Sequence, residues 1–386
     1  MSTHHASTTN ARAATDRERL AHALRLAMTP GIGPVNYRLL SERLGSPQQV
    51  LEADPATLQS VPGIGVRLAQ SLATAQRTVA VEPELARCEQ HGLNILECST
   101  ADYPLRLQEI PDPPPVLFCR GELNTSDSMA IAIVGTRHAT GYGIRQSERL
   151  ARGLAQAGFT IVSGLARGID AAAHRAALEA GGRTVAVLGS GLLNLYPSEH
   201  ADLSLQIADQ GAVVSEYPTL QPPRSGSFPQ RNRIVTGLSL GVIVIEAGDR
   251  SGAMISARHA AEQGRDVFAV PGPVDSSMSS GCHQLIRDGA ILVTSVDDVL
   301  EGLGPLPQPV AVQTPEGTRR DLRHPAELKL NSMESQVLQQ IGTTPTEIDD
   351  IVETSELPIQ RVLATLSALE MRRLVQRCSG TRVRRV

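Results

Sequence analysis

Aromatic residues are scarce in this sequence: Phe and Tyr make up 2% of its 386 residues, and tryptophan is absent. Ala, Leu, Val and Ile therefore have to fill the interior, and an apolar content of 41% is enough for a real core. The shortage also leaves few rings on which nucleic-acid bases could stack. A chain of 386 residues predicts two or three domains, at roughly 100–200 residues each.

Long apolar runs and paired cysteines are missing as well. No stretch approaches the ~18 apolar residues of a membrane span, and the polar N-terminus has no apolar signal region. The cysteines are odd in number, scattered and never spaced as Cys-x-x-Cys: Cys88, Cys98, Cys119, Cys282 and Cys378. This spacing argues against a disulfide framework or a zinc site and for a reducing compartment. We expect a cytoplasmic protein with no metal, no cofactor and no membrane partner.

Lysine is nearly absent, since Lys329 is the only one among 36 basic residues. The formal net charge of −4 does not by itself indicate a nucleic-acid partner. The planar guanidinium of arginine suits phosphate, but a high-GC coding sequence would produce the same bias. The position of the arginines is therefore more informative than their number.

The N-terminal third contains an internal repeat. Pro-Gly-Ile-Gly occurs at 30–33 and again at 62–65, each time between amphipathic segments. Glycines permit the tight turn between two helices and expose backbone N–H groups, so the repeat predicts a helix-hairpin-helix domain of the SAM-like type over 20–80. It would contact phosphates through backbone amides, or serve as a helical lid that does not bind DNA. Residues 1–19 are rich in Ser, Thr, Ala and His and predict a disordered tail, and a proline-containing connector follows over 81–127.

The central part, over 128–301, alternates apolar runs with helical stretches. The runs are Ala130–Val134, Thr160–Ser163, Thr184–Leu188, Ala212–Ser215, Val242–Ile245, Val267–Val270 and Ile291–Thr294. Continuous Val, Ile and Ala runs separated by helices are typical of a parallel sheet covered on both faces. We predict an α/β fold with a Rossmann-like, doubly wound sheet.

The C-terminal part begins after a Pro, Gly and Gln-rich linker over 302–325. Over 326–386 the pattern predicts a winged helix: helices at Met333–Ile341, Thr346–Glu353 and Pro358–Leu374, with Thr346 as an N-cap, and a wing from Gln376 to Val386 that turns at 379–380. The second helix is acidic and the wing is rich in arginine. Such a module could touch DNA through the wing or dock on a protein.

Common catalytic motifs are not completed. The sequence contains neither Gly-x-Gly-x-x-Gly nor a Walker A loop. Gly-Leu-Ser-Leu-Gly at 237–241 has the spacing of a nucleophile elbow, but the predicted strand follows the serine instead of preceding it. Asp170 and His174 are four residues apart without further metal ligands, so we interpret them as a helix cap and a structural histidine. We assign no catalytic residue and expect that the protein is not an enzyme.

Two loops at the carboxyl ends of early strands could hold phosphate. The candidate residues are Gly135, Thr136 and Arg137 after the first strand, and Ser163, Gly164, Arg167 and Gly168 after the second. In each loop a glycine or a hydroxyl residue precedes a helix, and an arginine follows within a few residues. Backbone N–H groups together with a guanidinium form an anion cradle. The alternative is a structural turn with an Arg–carboxylate pair, but two such loops side by side favour phosphate.

A third candidate element opens a predicted helix after a Phe-Pro turn. It consists of Phe228, Arg231, Asn232 and Arg233. Phe228 lies outside any apolar run and could stack on a base, or it could be a buried anchor for the loop. The positive end of a helix dipole discourages cations, so two arginines there indicate a nearby anion. The segment Ser251-Gly252-Ala253 follows another strand and is expected to line the same cleft or to cap the next helix.

These segments together resemble the DprA (Smf) family of DNA-processing proteins. The matching segments are 134–137 (Val-Gly-Thr-Arg), 163–174, 184–192 with Tyr-Pro at 196–197, 215–218 (Ser-Glu-Tyr-Pro), 228–233 (Phe-Pro-Gln-Arg-Asn-Arg), 251–255, 267–272 and 281–286. They occur in order through the whole central domain, and the terminal domains fit the longer members of the family.

The resemblance implies a recombination mediator without enzymatic activity. It implies binding of single-stranded DNA, protection of incoming DNA, loading of RecA in natural transformation, and a homodimer. It also implies that Arg137 and Arg167 belong to the positive pocket, where the family often has lysine in place of Arg167. Whether duplex DNA is bound as well stays open at this point.

Two other functions compete with this one. The Rossmann-like core is also similar to nucleoside-monophosphate hydrolases such as the cytokinin-activating "lonely guy" proteins, but their Pro-Gly-Gly-x-Gly-Thr loop with its following glutamate is missing. The other alternative is a scaffold, in which the terminal domains recruit RecA and DNA binding is incidental.

Overall fold

The computed structural model describes residues 3–306, 310–313, 319–378 and 381–386. Its N-terminal part is helical: α1 Thr3–Met28, α2 Pro34–Leu44, α3 Pro47–Glu52, α4 Pro55–Gln59, α5 Val66–Thr78 and α6 Glu82–Gln90. Gly31 (φ 89°) and Gly63 (φ 86°) adopt the left-handed conformation in the two turns. Gly33 and Gly65 then occupy the N-cap positions of α2 and α5, so the repeat forms two helix-hairpin-helix turns as predicted.

The predicted disordered tail over 1–19 is wrong for the residues that the structure describes. Helix α1 already begins at Thr3, while residues 1 and 2 lie outside the described part. No glycine or proline precedes Pro30, so nothing in this stretch breaks a helix. The helix is also held by tertiary contacts, because Arg17 pairs with Glu89 and the Nε of Arg19 lies 3.2 Å from Glu97.

The predicted connector over 81–127 belongs largely to the sheet. After α6 it forms β1 Asn94–Glu97, α7 Leu105–Gln108, β2 Val116–Gly121 and a 3-10 turn at Thr125–Met129. Strand β2 pairs antiparallel with both β1 and a strand of the central domain. The prolines end just before β2, and the apolar run from Val116 to Cys119 is buried. Burial of this run therefore makes it a strand.

The central domain contains the predicted parallel strands. They are β3 Ala130–Gly135, β4 Thr160–Ser163, β5 Thr184–Val187, β6 Ala212–Ser215, β7 Gly241–Ile245, β8 Asp266–Ala269 and β9 Ile291–Leu292. The helices between and after them are α8 Gly141–Gln156, α9 Ile169–Glu179, α10 Ala201–Gln210, α11 Ser227–Gly237, α12 Gly252–Glu262, α13 Ser280–Arg287 and α14 Val296–Gly302, with a 3-10 turn at Ser198–His200. Each predicted apolar run coincides with a strand to within two residues.

Within the described residues the sheet has nine strands in the order β1-β2-β6-β5-β4-β3-β7-β8-β9. The chain moves outward in one direction from β3 to β6 and then returns to the other side of β3 at β7. This reversal creates a switch point between β3 and β7, where doubly wound sheets bind ligands at their carboxyl edge. The helical domain shares an apolar core with one face of the sheet, in which Leu24, Leu40 and Leu72 belong to one cluster with Phe118 and Leu188.

The C-terminal part forms the predicted winged helix. Its elements are β10 Val310–Gln313, β11 Arg319–Leu322, a 3-10 turn at Pro325–Lys329, α15 Ser332–Gln339, β12 Thr346–Glu347, α16 Ile348–Ser355, α17 Ile359–Met371, β13 Val375–Arg377 and β14 Arg382–Arg385. Strands β12, β14 and β13 pair in that order, so the wing is a ribbon; its predicted turn at 379–380 lies outside the described residues.

Two expectations in this part are wrong. The linker over 302–325 contains the antiparallel pair β10 and β11, because its Val-Ala-Val run favours an extended strand. Thr346 is not an N-cap, since it pairs with Val383 in the wing sheet and α16 begins two residues later. No helix in the described part of the chain combines the length and the apolar character that crossing a bilayer requires.

Candidate nucleic-acid interface

A cleft of about 580 Å³ lies at the carboxyl edge of the sheet, at the switch point between β3 and β7. The predicted residues that line it are Gly135, Thr136, Arg137, Gly164, Phe228, Arg231 and Asn232. Arg167 lines a smaller recess that adjoins the cleft and shares Arg137, Phe228 and Arg231 with it. The topology therefore brings the three predicted elements to one place, because the carboxyl ends of parallel strands meet at the same edge.

The loop that carries Arg137 is held at both ends by β7. A Cβ atom on Gly135 would lie 1.9 Å from the carbonyl oxygen of Ile245, so only glycine allows this close approach. Glu246 follows β7 with a left-handed backbone (φ 50°), and its carbonyl accepts a hydrogen bond from the Thr136 N–H at 2.8 Å. The Glu246 carboxylate also accepts from the N–H of Thr140 at 2.8 Å. The exposed Arg137 side chain thus projects from a fixed backbone.

The loop after β4 packs directly on the Arg137 loop. Gly168 has φ 76°, and a Cβ atom there would lie 2.4 Å from the Thr136 carbonyl oxygen. Asp170 accepts hydrogen bonds from the N–H groups of Gly164 at 3.1 Å and Ala166 at 3.3 Å. The Gly164 amide, a candidate for cradling phosphate, and the Ala166 amide are therefore already satisfied by a carboxylate within the protein.

Arg231 is the buried cation of the cleft, with 4% of its surface exposed. Its guanidinium packs on the bare Cα of Gly164 and donates to the carbonyl of Val187, while its Nε has no partner. Burial lowers the pKa of Arg231 to about 10, against an opposing effect from Asp170. Burial likewise raises the pKa of Asp170, which Arg231 and the loop amides counteract. Arg231 is still charged at neutral pH, so it supplies positive charge from the wall of the cleft.

Four side chains form a row along the cleft and the adjoining recess, which we call the cation–aromatic row: Arg137, Phe228, Tyr196 and Arg167. The Arg137 guanidinium lies 5.0 Å from the centre of the Phe228 ring, and the Arg167 guanidinium lies 6.0 Å from that of Tyr196. The two ring centres are 5.6 Å apart at an interplanar angle of 55°. Tyr196 is 39% exposed and Phe228 is half-buried, so both rings combine a fixed position with an accessible surface.

Arg167 is engaged by a carboxylate of the protein. Its Nε and Nη2 atoms donate to the two carboxylate oxygens of Glu199 at 2.7 Å and 2.6 Å. The contact lowers the pKa of Glu199 through the hydrogen bond and the charge of Arg167. This is the Arg–carboxylate pair that the sequence left open as the alternative to a phosphate site. Nothing in the sequence pattern indicated Glu199, which lies 32 residues away.

Three of the predicted site residues line neither the cleft nor the adjoining recess. Ser163 is buried and donates to the carbonyl of Ile133, and Gly168 serves the packing of the two loops. Arg233 is buried and pairs with Glu216 and with Asp112, the latter at 3.1 Å. Arg231 and Arg233 are two residues apart on α11 and therefore point about 200° away from each other. The anion inferred beside Arg233 is thus a carboxylate of the protein, and we remove Ser163 and Arg233 from the candidate site.

Residues that the sequence indicated only weakly complete the cleft. Tyr196 was noted solely as part of a Tyr-Pro pair, and only tertiary packing brings it to Phe228. Ser251 lines the cleft, as expected, and occupies the N-cap position of α12, but its hydroxyl accepts no hydrogen bond from the helix amides. Asn232 ties the start of α12 to α11, because its Nδ2 donates to the Gly252 carbonyl at 3.1 Å.

The motifs that were rejected as catalytic are structural. Ser239 is buried between α11 and β7 and donates to the carbonyl of Val235 at 2.9 Å, so the Gly-x-Ser-x-Gly segment is a helix-to-strand turn as predicted. His174 is fully buried, and its Nδ1 lies 2.7 Å from the Thr184 hydroxyl. Asp170 is not the helix cap that we expected, because Gly168 occupies the N-cap position of α9. Its carboxylate instead holds the loop after β4, so Asp170 and His174 do not act as a pair on the cleft.

Known proteins share this architecture domain by domain. Residues 94–304 match the family model of DNA recombination-mediator protein A, residues 322–381 that of the DprA winged helix domain, and residues 23–77 that of the SAM-like helix-hairpin-helix tandem. The protein Smf of Synechocystis is 36% identical over 95% of this chain and 98% of its own. The DNA processing protein DprA of Streptococcus pneumoniae is 48% identical over 51% of this chain and 70% of its own.

The likeness extends to a solved structure. The X-ray structure of DNA processing protein A from Streptococcus pneumoniae superposes with a TM-score of 0.64 and 34% sequence identity. It covers 74% of this chain and 98% of the pneumococcal one.

Proposed function

Because the chain belongs to the DNA recombination-mediator protein A family, we propose that it binds single-stranded DNA along the cation–aromatic row and the cleft behind it. The observation that carries this proposal is the pair of accessible rings with a guanidinium group at each end of it. Guanidinium groups bind phosphates, and unpaired bases stack on aromatic rings.

The rings favour single strands over duplex DNA. In a duplex the bases already stack on one another and present only their edges to a protein. A ring such as Phe228, fixed beside Arg137 at the mouth of the cleft, gains contact only with a base that is free to leave its neighbours. We expect competition by duplex DNA to be weak and to act mainly through phosphate contacts.

We further propose that the bound strand is protected and handed to RecA, and that the protein acts as a homodimer in natural transformation. Family membership supports this part of the proposal. The expected activity is binding without a catalysed step. A nucleoside-monophosphate hydrolase would instead release free base from nucleoside monophosphates, and detection of that base would favour the enzyme. Capture of RecA in the absence of DNA would favour the scaffold.

Salt dependence of oligonucleotide affinity tests the cleft. Each phosphate that the protein neutralises adds about 0.7 to the slope of log affinity against log salt for a single strand. We expect Arg137→Ala to weaken binding and to reduce the slope by about 0.7. Arg152→Ala is the matched control, because Arg152 lies in the second half of α8 and pairs with Glu179 at 2.8 Å. If Arg137→Ala binds like the parent at every salt concentration, the strand does not use this cleft.

A further inference from the structure

The two halves of the cation–aromatic row differ in one respect. Arg137 lies against Phe228 and faces the open cleft, whereas both prongs of the Arg167 fork are occupied by Glu199. Carboxylate and phosphate present the same two-oxygen geometry to a guanidinium. Glu199 therefore occupies the positions that phosphate oxygens would take at Arg167.

The contact between Arg167 and Glu199 follows from the local architecture. Glu199 lies in the 3-10 turn Ser198–His200, three residues after Tyr196. His200, next in the turn, is buried, and its Nδ1 lies 2.9 Å from the carbonyl oxygen of Leu165, two residues before Arg167. The turn is thereby fixed to the very loop that carries Arg167. Glu199 is held within reach of Arg167 by the fold, not by the ion pair alone.

The pair can nevertheless open. Side-chain exposure is 49% for Arg167 and 52% for Glu199, so water reaches both groups. Exposed ion pairs are weak because solvent screens the attraction and the long side chains lose freedom. A polyanion held nearby at Arg137 and Phe228 would raise the local phosphate concentration and compete for the Arg167 fork.

We propose that Glu199 is a built-in competitor of DNA phosphate, and that Arg167 with Tyr196 forms a second nucleotide subsite which a strand opens by displacing it. The inference rests on the proposed binding of single strands along this row. In the closed arrangement only the Arg137–Phe228 half is available. A strand long enough to fill both halves gains a second stacked base and a second phosphate contact. Glu199 thus keeps mononucleotides and short fragments out of the Arg167 half, which opens only to a strand already anchored at Arg137 and Phe228.

The test is Glu199→Gln, which keeps the shape of the side chain and removes its charge. We expect it to tighten binding of a long oligonucleotide about threefold to tenfold at low salt, and to steepen the salt slope. A dinucleotide that fills only the first half should gain little. Glu179→Gln is the matched control, since Glu179 pairs with the exposed Arg152 on the same domain and is 61% exposed itself. It should leave binding unchanged.

The double variant Arg167→Ala/Glu199→Gln separates competition from general repulsion. If Glu199 acts through Arg167, the charge removal has no effect once the fork is gone. An equal gain in both backgrounds would mean that Glu199 merely repels DNA, and it would overturn the inference. Unchanged affinity of Glu199→Gln while Arg137→Ala still weakens binding would also overturn it and leave the proposed function intact. The proposed function itself would fail if Arg137→Ala had no effect.

Discussion

Arg231 and Arg233 lie two residues apart on α11 and have different roles. Arg231 faces the cleft with Asp170 behind it, whereas Arg233 faces away into a pocket with Glu216 and Asp112. Both are buried, and a buried cation needs an opposite charge nearby. Asp170 provides that charge for Arg231, and Glu216 and Asp112 provide it for Arg233. Their sequence context is almost the same, and the turn of the helix alone separates them.

Arg233→Met should therefore destabilise the protein without changing its binding. Loss of the guanidinium leaves the Glu216 carboxylate buried without its cation, which costs about 3–5 kcal/mol of unfolding free energy for a buried pair. Urea denaturation measures this loss, and oligonucleotide binding is then measured on the folded protein. Arg233→Met/Glu216→Gln should recover part of the stability. Full stability together with weakened DNA binding would instead return Arg233 to the interface.

His174 makes stability depend on pH. The Thr184 hydroxyl donates to the Ile161 carbonyl at 2.6 Å, so His174 Nδ1 must carry the proton that bonds to Thr184, and Nε2 is buried without a partner. Burial lowers the pKa of His174 to about 3. In the unfolded chain His174 takes up the second proton, which charges the ring, below a pKa of about 6.5. In the folded protein it takes up that proton only near pH 3.

The contribution of His174 to the free energy of unfolding is thus fully present above about pH 6.5. It falls by about 1.4 kcal/mol per pH unit on acidification towards pH 3. His174→Asn keeps a donor towards Thr184 and cannot be protonated. We expect its unfolding free energy to vary less with pH between 6 and 4, as measured by urea titration at each pH. Parallel curves for parent and variant would show that other groups govern the acid sensitivity.

At the scale of elements, the two phosphate-type loops act as one unit. The backbone of the β4 loop touches that of the β3 loop at Gly168 and Thr136, and the Ile169 N–H donates to the Thr136 carbonyl at 3.3 Å. Arg137 and Arg167 are thus set relative to each other by backbone contact. A change in one loop is expected to shift the other.

Gly168→Ala tests this coupling. The added methyl would lie 2.4 Å from the Thr136 carbonyl oxygen and would also force a residue with φ 76° into a strained conformation. Gly158→Ala is the matched control, because Gly158 has φ 92° and no heavy atom within 4 Å of the new methyl. We expect the control to cost about 1 kcal/mol of stability and to leave binding unchanged. Gly168→Ala should cost more and should also weaken oligonucleotide binding, measured by fluorescence anisotropy.

Carboxylates of the protein balance much of the positive charge that the winged-helix sequence carries. Ion pairs engage four of its C-terminal arginines: Arg372 with Glu334, Arg377 with Glu370, Arg382 with Glu347 and Arg385 with Glu327. The exposed side of α17 carries Ile359, Leu363 and Met371. Of the two roles that the sequence left open, we propose that this surface contacts a protein and not a phosphate backbone.

At the scale of the whole molecule, the terminal domains are built onto the sheet and are not loosely attached to it. The helical domain packs its apolar core on one sheet face. The single lysine, Lys329, ties the first turn of the winged helix region to α14 through Asp297 at 2.8 Å and Glu301 at 3.3 Å. The one lysine of an arginine-rich chain is thus structural, and the cleft relies on arginine alone among cationic side chains of the described residues.

Sequence patterns were sufficient for the strands of the central sheet and for the edge at which the loops meet. A buried parallel strand needs a continuous apolar run, and parallel strands place all their carboxyl ends together. The same reasoning missed β1 and β2. A short apolar run after prolines forms a strand only when a neighbouring strand pairs with it, as β6 does with β2.

The sequence by itself therefore determined the fold class and the position of the cleft, since both follow from apolar periodicity and chain order. Only the tertiary structure decided which guanidinium faces the cleft and which faces a carboxylate. Glu199 lies 32 residues from Arg167 and Glu216 lies 17 residues from Arg233, and no local pattern links such partners. Charges pair across space at the scale of a few ångströms, and only packing of the whole chain sets those distances.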